Sequence, residues 1–331
     1  MKLIAETAFH HDGDFEFASN LIDNIVQSSA DVIKIHILLD LDKYMDNTHS
    51  AYEFLKERTF TKAQWSILLD KIKQSSKELM VLLNDVDAVE LVADFDPALI
   101  EVHSVALNNS KLLKKMNDTF SNDTKVVLGV GGSTLYEIEN AASQFLNKDI
   151  ILMFGFQNYP TKYEDVNFKK MRRIMNAFPE YEYGYADHTA WDLKENVLIT
   201  LMGAAQGVSY VEKHVTTHYG EQRTDYSAAV TFEMLDEIKK GLEILEKCNG
   251  NGQLALNYGE KSYCVPGAMK QVAKLNQDVD VGEVFQLDMV NFLRSGAKNG
   301  MAQIDIWEAQ GKPLTKSVKA GEILTYAHFE E

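Results

Sequence analysis

Eight short apolar segments, separated by longer stretches of helical periodicity, constrain the fold of this chain more than any other feature. The apolar segments are residues 2–6, 31–37, 79–83, 99–104, 124–129, 149–155, 181–186 and 208–214. Their hydrophobicity is continuous, which is typical of parallel strands that are covered on both faces. The segments with helical spacing between them include 15–28, 61–76, 134–146, 165–177, 192–206 and 231–247.

This pattern predicts an α/β fold, a (β/α)8 TIM barrel, because eight strand–helix units in about 250 residues match the size of that barrel. A doubly wound open sheet is the alternative, since alternation of strands and helices does not show closure. We place the barrel at residues 1–248 and a linker at 249–262, where the periodicity is lost. Short segments between glycine-containing turns predict a small β-rich domain at 263–331.

The charge and the cysteines bear on partners and location. The chain has 33 Lys and Arg against 49 Asp and Glu, a net charge of −16, which argues against nucleic acid as a partner. Cys248 and Cys264 lack the spacing of a zinc site, so we expect reduced thiols and a cytoplasmic location. No apolar run approaches the ~20 residues that span a bilayer, and no signal-like segment opens the sequence. We therefore expect a soluble protein without a membrane partner.

Polar side chains stand at the predicted carboxyl ends of the strands, where TIM barrels place their reactive groups. These residues are Glu6, Lys34, His36, Glu101, His103, Gln157, Tyr159, Asp187, His188, Glu212, Lys213 and His214. Eight strand ends meet at one face of a barrel, so these residues are the candidates for an active site.

Two histidines predict a metal site. His188 and His214 follow neighbouring strands, and two imidazoles can share one divalent ion while leaving other positions open. Each histidine alone is better explained as structural, but the pair, with Asp187 and Glu6 nearby, favours a metal. Lys34 lies in an apolar strand, where an unpaired ammonium is costly, so it predicts either an anionic ligand or a carboxylate partner. Glu6 is accordingly either a general base or the ion-pair partner of Lys34.

The sequence resembles the sialic acid synthase family over nearly its whole length, with the motifs in the family's order. The barrel motifs are IAETAFHHDGDFEFASNLID, ADVIKIH, NYPTKYEDVN, YGYADHTAWD, YVEKH and TDYSAAVTFEML. In the first of them, His11, Asp12 and Gly13 fit the pattern that precedes the first helix of the family. The segments GEKSYCVPGAM, DVDVGEVFQLDMVNFLRSGAKNGM and KPLTKSVKAGEIL resemble the family's antifreeze-like (SAF) domain.

The resemblance implies condensation of phosphoenolpyruvate with the open-chain aldehyde of an N-acylated hexosamine, giving a nine-carbon 3-deoxy-2-keto acid (a nonulosonic acid) and phosphate. It implies roles for the following residues: Glu6 and Asp187 in catalysis; His188 and His214 as ligands of a divalent metal, Mn or Mg; Lys34, Ser104 and Gln157 in donor binding; and Tyr159, Asp225 and Arg294 in sugar binding. It also implies a domain-exchanged homodimer, in which Arg294 reaches into the barrel of the partner subunit.

The resemblance fails in the phosphate pocket. Glu101 stands at a position where the family has lysine, and Gly129 and Ala186 stand where it has serine. In the segment that contains Glu101, only Ser104 matches the family pattern. The remaining departures are Gln157 for asparagine, His36 for glutamine, His10 for asparagine and Thr224 for proline. A carboxylate aimed at a phosphate reverses a charge-assisted contact and weakens its binding.

These departures leave three hypotheses. The first is a diverged synthase that uses phosphoenolpyruvate, with His103, His36 or His10 as substitute ligands. The second is a related metal-dependent enzyme that forms carbon–carbon bonds with a donor or substrate lacking that phosphate. The third is a non-catalytic relative that binds a sugar acid or a protein. Complete loss of the site is disfavoured because the sequence retains Glu6, Lys34, Asp187, His188, His214 and Arg294.

Overall fold

A computed structural model describes residues 1–156 and 158–330, and in this part of the chain eight parallel strands close into a barrel. The strands are β1 (Lys2–Glu6), β2 (Val32–Ile37), β3 (Glu78–Leu83), β4 (Leu99–Val102), β5 (Lys125–Gly129), β6 (Ile150–Phe154), β7 (Glu182–Asp187) and β8 (Tyr210–His214). Pairing of β1 with both β2 and β8 closes the sheet. The predicted barrel is confirmed, and the open sheet is excluded.

Helices connect the strands. They are α1 (Phe15–Gln27), α2 (Leu41–Tyr44), α3 (Tyr52–Lys56), α4 (Lys62–Lys73), α5 (Val86–Val92), α6 (Ser110–Thr119), α7 (Leu135–Ala142), α8 (Tyr163–Val166), α9 (Phe168–Ala177), α10 (Asn196–Ala204) and α11 (Phe232–Asn249). Their first turns follow capping rules: the Asp14 side chain caps α1, while Thr61 and Thr134 form capping boxes at α4 and α7.

Two apolar layers surround the strands because successive side chains of a strand point to opposite faces. Inside the barrel, a small cluster includes Ile4, Val32, Leu99 and Val127. A larger layer fills the space between strands and helices and includes Ile33 of β2 together with many helix residues. The inward positions nearer the carboxyl ends of several strands carry polar side chains, so the interior becomes polar towards that end.

The closing register brings three polar residues together. Glu6 of β1 is the register partner of Lys34 on β2 and also of His214 on β8. Side chains of paired residues on neighbouring strands point to the same face of a sheet. Glu6 therefore lies between the lysine and the histidine.

The chain divides into two compact units, Met1–Gly250 and a second that begins at Asn251. In the second unit, β9 (Val272–Leu275) and β10 (Val290–Leu293) pair antiparallel, and single bridges join further segments. The unit also contains α12 (Tyr258–Ser262) and α13 (Gln303–Ala309), and its own core is built around Phe285, Ile306 and Leu324. Residues 249–262, predicted as an irregular linker, thus include one helical turn, which the Asn257 side chain caps.

Two further features bear on the predictions from sequence. Cys248 and Cys264 are both exposed and unpaired. Among the helices that the structure describes, none is long and apolar enough to cross a membrane.

Candidate active site

A cavity of about 340 Å³ lies at the carboxyl ends of the barrel strands. Its polar and charged lining residues are Glu6, Lys34, His36, Tyr44, Asn84, Glu101, His103, Ser104, Tyr159, His188, Glu212, His214 and Asp225. Gly129 and Ala186 also line it, and Phe9 and Phe156 add aromatic surface. The structure thus brings together most of the residues that the sequence placed at strand ends, and a cavity of this size can hold a small molecule.

Lys34 is surrounded by carboxylates. Its Nζ atom lies 2.5 Å from Glu101 Oε2, 2.9 Å from both carboxylate oxygens of Glu212, and 3.5 Å from Glu6 Oε1. All four side chains are almost completely buried. Of the two partners that the sequence left open for Lys34, the structure shows carboxylates.

The electrostatics of this cluster follow from burial and mutual charge. Burial alone would lower the pKa of Lys34, but Glu101, Glu212 and Glu6 raise it, so the ammonium stays charged. Burial and the negative charge of Glu6 raise the pKa of Glu212 well above the usual range. Burial also raises the pKa of Glu101. Three carboxyl groups therefore share one lysine, and Glu212 is the one that most readily keeps a proton.

Glu6 carries the negative charge of the cluster. Burial raises its pKa, but Lys34, His214 and His36 together lower it well below the usual value. Its Oε1 atom contacts His36 Nε2, and its Oε2 atom lies 3.2 Å from His214 Nε2. That buried Oε2 atom has no hydrogen-bond partner of good geometry among the described residues. Glu6 thus offers an ionised oxygen to a further ligand.

Glu6, His188 and His214 fit a divalent metal. One ligand atom from each of the three side chains can be chosen so that all lie within 4.8 Å of one another. The two imidazole rings are 4.8 Å apart between centroids and nearly perpendicular. One carboxylate and two imidazoles are suitable ligands for such an ion and leave positions open.

His188 has the protonation that a metal ligand needs. His188 Nδ1 lies 3.0 Å from the carbonyl oxygen of Ala186, so it donates its proton there and Nε2 is left with a lone pair. Burial and the neighbouring His214 lower the pKa of His188 to about 3, which keeps the ring neutral. For His214, burial lowers the pKa, but Glu6 and Asp225 more than offset this and raise it.

Tyr159 and Asp225 line the cavity beside the two histidines. The Tyr159 hydroxyl donates to the backbone carbonyl of Asp225 and lies 3.4 Å from His214 Nδ1. Asp225 adopts a left-handed backbone conformation with φ 61°, and its carboxylate accepts a hydrogen bond from the Phe9 amide at 3.0 Å. Both side chains are held in place near the candidate metal ligands.

Asp187, predicted as catalytic, does not face the cavity. Ala186 and His188 point inward, so Asp187 between them points outward, and it forms a buried ion pair with Lys213. Its carboxylate also accepts hydrogen bonds from Thr200 at 2.7 Å and Thr189 at 2.9 Å. Asp187 therefore lies among buried contacts next to the strand end that carries His188, outside the lining of the cavity.

His10 is also structural. It is buried, its Nε2 lies 2.6 Å from the Thr216 hydroxyl, and its Nδ1 lies 2.9 Å from the carbonyl oxygen of Thr224. Both ring nitrogens are thus occupied and His10 does not line the cavity. Of the three histidines considered as substitute ligands, the structure brings only His36 and His103 to it.

Ser104, His103 and Gly129 lie together at the ends of β4 and β5. The backbone amide of Val105 donates to His103 Nδ1 at 3.2 Å, so the proton of this neutral ring is on Nε2. A Cβ atom at Gly129 would stand 3.0 Å from the Ser104 amide nitrogen and 3.2 Å from the Val102 carbonyl oxygen. A larger residue would press on this backbone, which is a physical reason for glycine there.

Two predicted residues cannot be placed in this cavity. Gln157 lies outside the described residues. Arg294 belongs to the second unit, where it is exposed and its guanidinium donates to the Ala268 carbonyl oxygen at 2.8 Å. Its proposed place in a partner subunit's barrel stays a prediction.

Glu212 is the charged lining residue to which sequence analysis gave no role, and Phe9, Asn84 and Phe156 were also missed. Glu212 lies two positions before His214 on β8, so the two side chains point to the same face. That spacing was a usable signal, because an inward His214 requires an inward Glu212. The contact of Glu212 with Lys34, in contrast, depends on barrel closure.

The sequence matches known protein families over most of its length. Residues 21–254 match the NeuB family and residues 270–330 match the SAF domain. The chain is 25% identical to N,N'-diacetyllegionaminic acid synthase of Campylobacter jejuni, over 97% of this chain and 98% of that protein. It is 26% identical to an uncharacterized protein, MJ1065, of Methanocaldococcus jannaschii, over 89% of this chain and 85% of that protein.

A solved structure shows the same fold. The putative spore coat polysaccharide biosynthesis protein E of Chromobacterium violaceum superposes with a TM-score of 0.83 at 19% identity, and the match covers 100% of both chains. The likeness extends over the barrel and the SAF domain. From the match over residues 21–254, the chain belongs to the NeuB family.

Proposed function

We propose that this chain is an enzyme that joins a three-carbon donor, phosphoenolpyruvate or the enol form of pyruvate, to the open-chain aldehyde of an N-acylated hexosamine. The product is a nine-carbon, sialic-type (nonulosonic) acid. The observation that carries the proposal is the convergence of Glu6, His188 and His214 at one end of a polar cavity. Family membership supports the reaction class, since the C. jejuni relative is named as a legionaminic acid synthase.

The lining residues have different proposed roles according to where they lie in the cavity. Glu6, His188 and His214 would hold a divalent metal, Mn²⁺ or Mg²⁺, whose chemistry is to polarise a carbonyl oxygen. Tyr159 and Asp225, beside the histidines, orient the hydroxyl or acyl end of the sugar. Phe9 and Phe156 add apolar surface to the cavity.

Glu6 and His36 form the proton-handling pair. The Glu6 Oε1 atom contacts His36 Nε2, so a proton can pass between these two atoms without leaving the cavity. Lys34 keeps Glu6 ionised by its charge. The pair therefore supplies acid and base within reach of a substrate next to Glu6.

The donor that the resemblance implies is phosphoenolpyruvate. A second candidate is the same bond formation with a donor that carries no phosphate, and the carboxylates around Lys34 favour it. The non-catalytic alternative has no comparable support, because Glu6 and both histidines are arranged as an open metal site.

The proposal is tested by incubating the manganese-loaded protein with one N-acylated hexosamine at a time and either phosphoenolpyruvate or pyruvate. We expect a nonulosonic acid, identified by mass spectrometry, with at least one pair. Ligand binding without any product from the whole panel would contradict the proposed function and favour a binding protein.

A further inference from the structure

Asp12, in the motif that precedes the first helix, lies outside the lining of the cavity. Its Oδ1 atom accepts three hydrogen bonds: from the Thr224 hydroxyl, from the Thr224 amide at 3.2 Å and from Arg58 Nε at 3.1 Å. The Arg58 Nε atom also donates to the Thr224 hydroxyl oxygen at 2.9 Å. Asp12 therefore joins three segments of the chain, those that follow β1, β2 and β8.

Each of the three segments contributes to the wall of the cavity. Phe9 lines it from the segment after β1, Leu55 from the segment after β2, and Asp225 from the segment after β8. Asp225 is the residue that directly follows Thr224. The relative positions of these three lining residues therefore depend on the contacts of Asp12.

The backbone at Asp12 and Gly13 permits this close approach of the segments. Asp12 has φ 51° and Gly13 has φ 83°, both in the left-handed region. A Cβ atom at Gly13 would stand 2.2 Å from the carbonyl oxygen of Glu57, the residue before Arg58. Glycine is needed at this contact, which gives the acidic–glycine pair of the motif a structural explanation.

The Asp12 carboxylate stays ionised. Burial raises its pKa, but the hydrogen bonds from Thr224 and the charges of Arg58 and Arg223 more than offset this and lower it. Hydrogen bonds to an ionised group are stronger than neutral ones. Arg223 adds to the same connection, because its guanidinium donates to the carbonyl oxygens of His10 at 2.9 Å and His11 at 3.2 Å.

The connection reaches the Asp225 carboxylate through one peptide bond. Asp12 holds the amide and hydroxyl of Thr224, whose carbonyl oxygen lies 2.9 Å from His10 Nδ1. The next residue, Asp225, has φ 61° and accepts the Phe9 amide at 3.0 Å. The proline that stands at position 224 in the family pattern has neither a hydroxyl nor an amide hydrogen. Two of the three hydrogen bonds to Asp12 therefore depend on the threonine of this chain.

We infer that Asp12 is a positioning residue for the acceptor sugar, acting through Thr224 on Asp225. This inference rests on the proposed function, in which Asp225 orients the hydroxyl or acyl end of the sugar. Loss of the Asp12 carboxylate would release Thr224 and leave Asp225 less firmly held beside the Phe9 amide. The sugar should then bind more weakly.

The donor and the metal should be unaffected. The residues that the proposal gives them, Lys34, His188 and His214, lie on or directly after the strands. Within the described chain, the hydrogen bonds of the Asp12 side chain reach none of these residues. An effect on the sugar alone is therefore the distinctive expectation.

The manganese-loaded protein is assayed with N-acetylmannosamine, or with the N-acylated hexosamine that gives product, and with phosphoenolpyruvate. In Asp12→Ala the KM for the sugar should rise by about tenfold or more, the effect of losing one charge-assisted contact to a substrate. The KM for the donor and the Kd for Mn²⁺ should change by less than about twofold, as for independent sites. Thr224→Val, which removes the hydroxyl and keeps the amide, should raise the KM for the sugar by a smaller factor.

Asp12→Asn is the conservative variant. All three donors contact Oδ1, which an amide also supplies, so its KM for the sugar should lie closer to that of the wild type than to that of Asp12→Ala. Asp31→Ala is the matched control. Asp31 also accepts a backbone amide, that of Leu3 at 2.7 Å, and pairs with Lys239, but it lies directly before β2 at the other end of the barrel. This control should lose stability without a change in either KM.

Hydrogen exchange tests the connection without a reaction. In Asp12→Ala the amides of residues 216–228 should exchange faster than in the wild type by about tenfold or more, and in Asp31→Ala they should not. If Asp12→Ala does not fold, Thr224→Val tests the same connection.

Three outcomes would overturn the inference: unchanged exchange in this segment, an unchanged KM for the sugar, or equal rises in the KM values for sugar and donor. Each of them leaves the proposed function standing as long as the wild type forms product. A wild type that forms no product would instead remove the proposed function, and the role in sugar binding with it.

Discussion

Lys213 and Asp187 form a buried ion pair on the outer face of the barrel, one residue before His214 and His188 respectively. They are register partners on β8 and β7, so the pair ties together the two strand ends that carry the histidines. Burial raises the pKa of Asp187, but Lys213 more than offsets this and lowers it. The pair therefore fixes the separation of the two candidate metal ligands.

Replacing Lys213 by methionine should destabilise the fold by about 3–5 kcal/mol, because the Asp187 carboxylate would be left buried without its counter-charge. Urea unfolding measures the change. Lys114→Met is the matched control, since Lys114 and Asp118 form an exposed pair whose loss should cost much less. Equal losses for the two variants would show that the buried pair has no special structural role.

His188→Ala and His214→Ala should each weaken divalent-metal binding by more than about tenfold, the lower bound for removing even an outer-shell partner. The fold should stay intact, because both side chains face the cavity and not the apolar layer. Manganese titration and circular dichroism check the two statements. His49→Ala, which removes an exposed histidine, is the control. Native affinity in both cavity variants would disprove the metal assignment.

Because His11 is buried, the stability of the protein should fall as the pH is lowered. The side chain of His11 is buried, its Nδ1 accepts the Gly13 amide, and its ring stacks on Phe60, so burial lowers its pKa to about 3. In the unfolded chain the pKa of this histidine is about 6.5. Between about pH 3 and pH 6.5 the unfolded state therefore binds more protons than the folded state. The contribution of neutral His11 is therefore complete above about pH 6.5 and is lost as the pH falls towards 3.

From pH 7.5 to pH 5, His11 should account for a loss of about 2 kcal/mol in the free energy of unfolding. The measurement compares urea unfolding of the wild type with that of His11→Asn, whose carbonyl oxygen can still accept the Gly13 amide. The difference in stability between the two proteins should shrink by this amount as the pH falls. A difference independent of pH would mean that folding does not lower the pKa of His11.

Arg294 is proposed to complete the cavity of a partner subunit, as the family resemblance implies. A mixture of Arg294→Ala and His188→Ala chains should regain about a quarter of wild-type activity, because half of the dimers are mixed and each contains one intact site. The control mixes Arg294→Ala chains with chains that carry both Arg294→Ala and His188→Ala. In this mixture no chain has an intact Arg294, so no activity should return. Verified mixed dimers without activity would rule out the shared site.

The barrel was predictable because continuous apolar runs mark buried parallel strands, and each predicted strand lies within about two residues of its observed bounds. Helices α5 and α6 were not located. The first has only seven residues, too few for a clear period, and the second buries only Leu112, Leu113 and Met116. Short or mostly polar helices are determined by what they pack against.

The sequence predicted most of the residues of the site, but it did not predict which of them contact one another. Alternation along a strand already shows that an inward His188 turns Asp187 outward, so that assignment could have been avoided. The pairing of Lys34 with Glu101 and Glu212 was not accessible in this way. It joins β2, β4 and β8 across the barrel interior and depends on closure and register.

Carbon–carbon bond formation at the strand ends is tested most directly by mass spectrometry with a donor labelled with carbon-13 in every carbon. The manganese-loaded wild type, given an N-acylated hexosamine and labelled pyruvate or labelled phosphoenolpyruvate, should form a nine-carbon acid that carries the whole label. Glu6→Gln, treated identically, should form little or none, because Glu6 contacts His36 and His214 and lies among the candidate metal ligands. Absence of any labelled nine-carbon acid from the metal-loaded wild type with either donor would contradict the proposal.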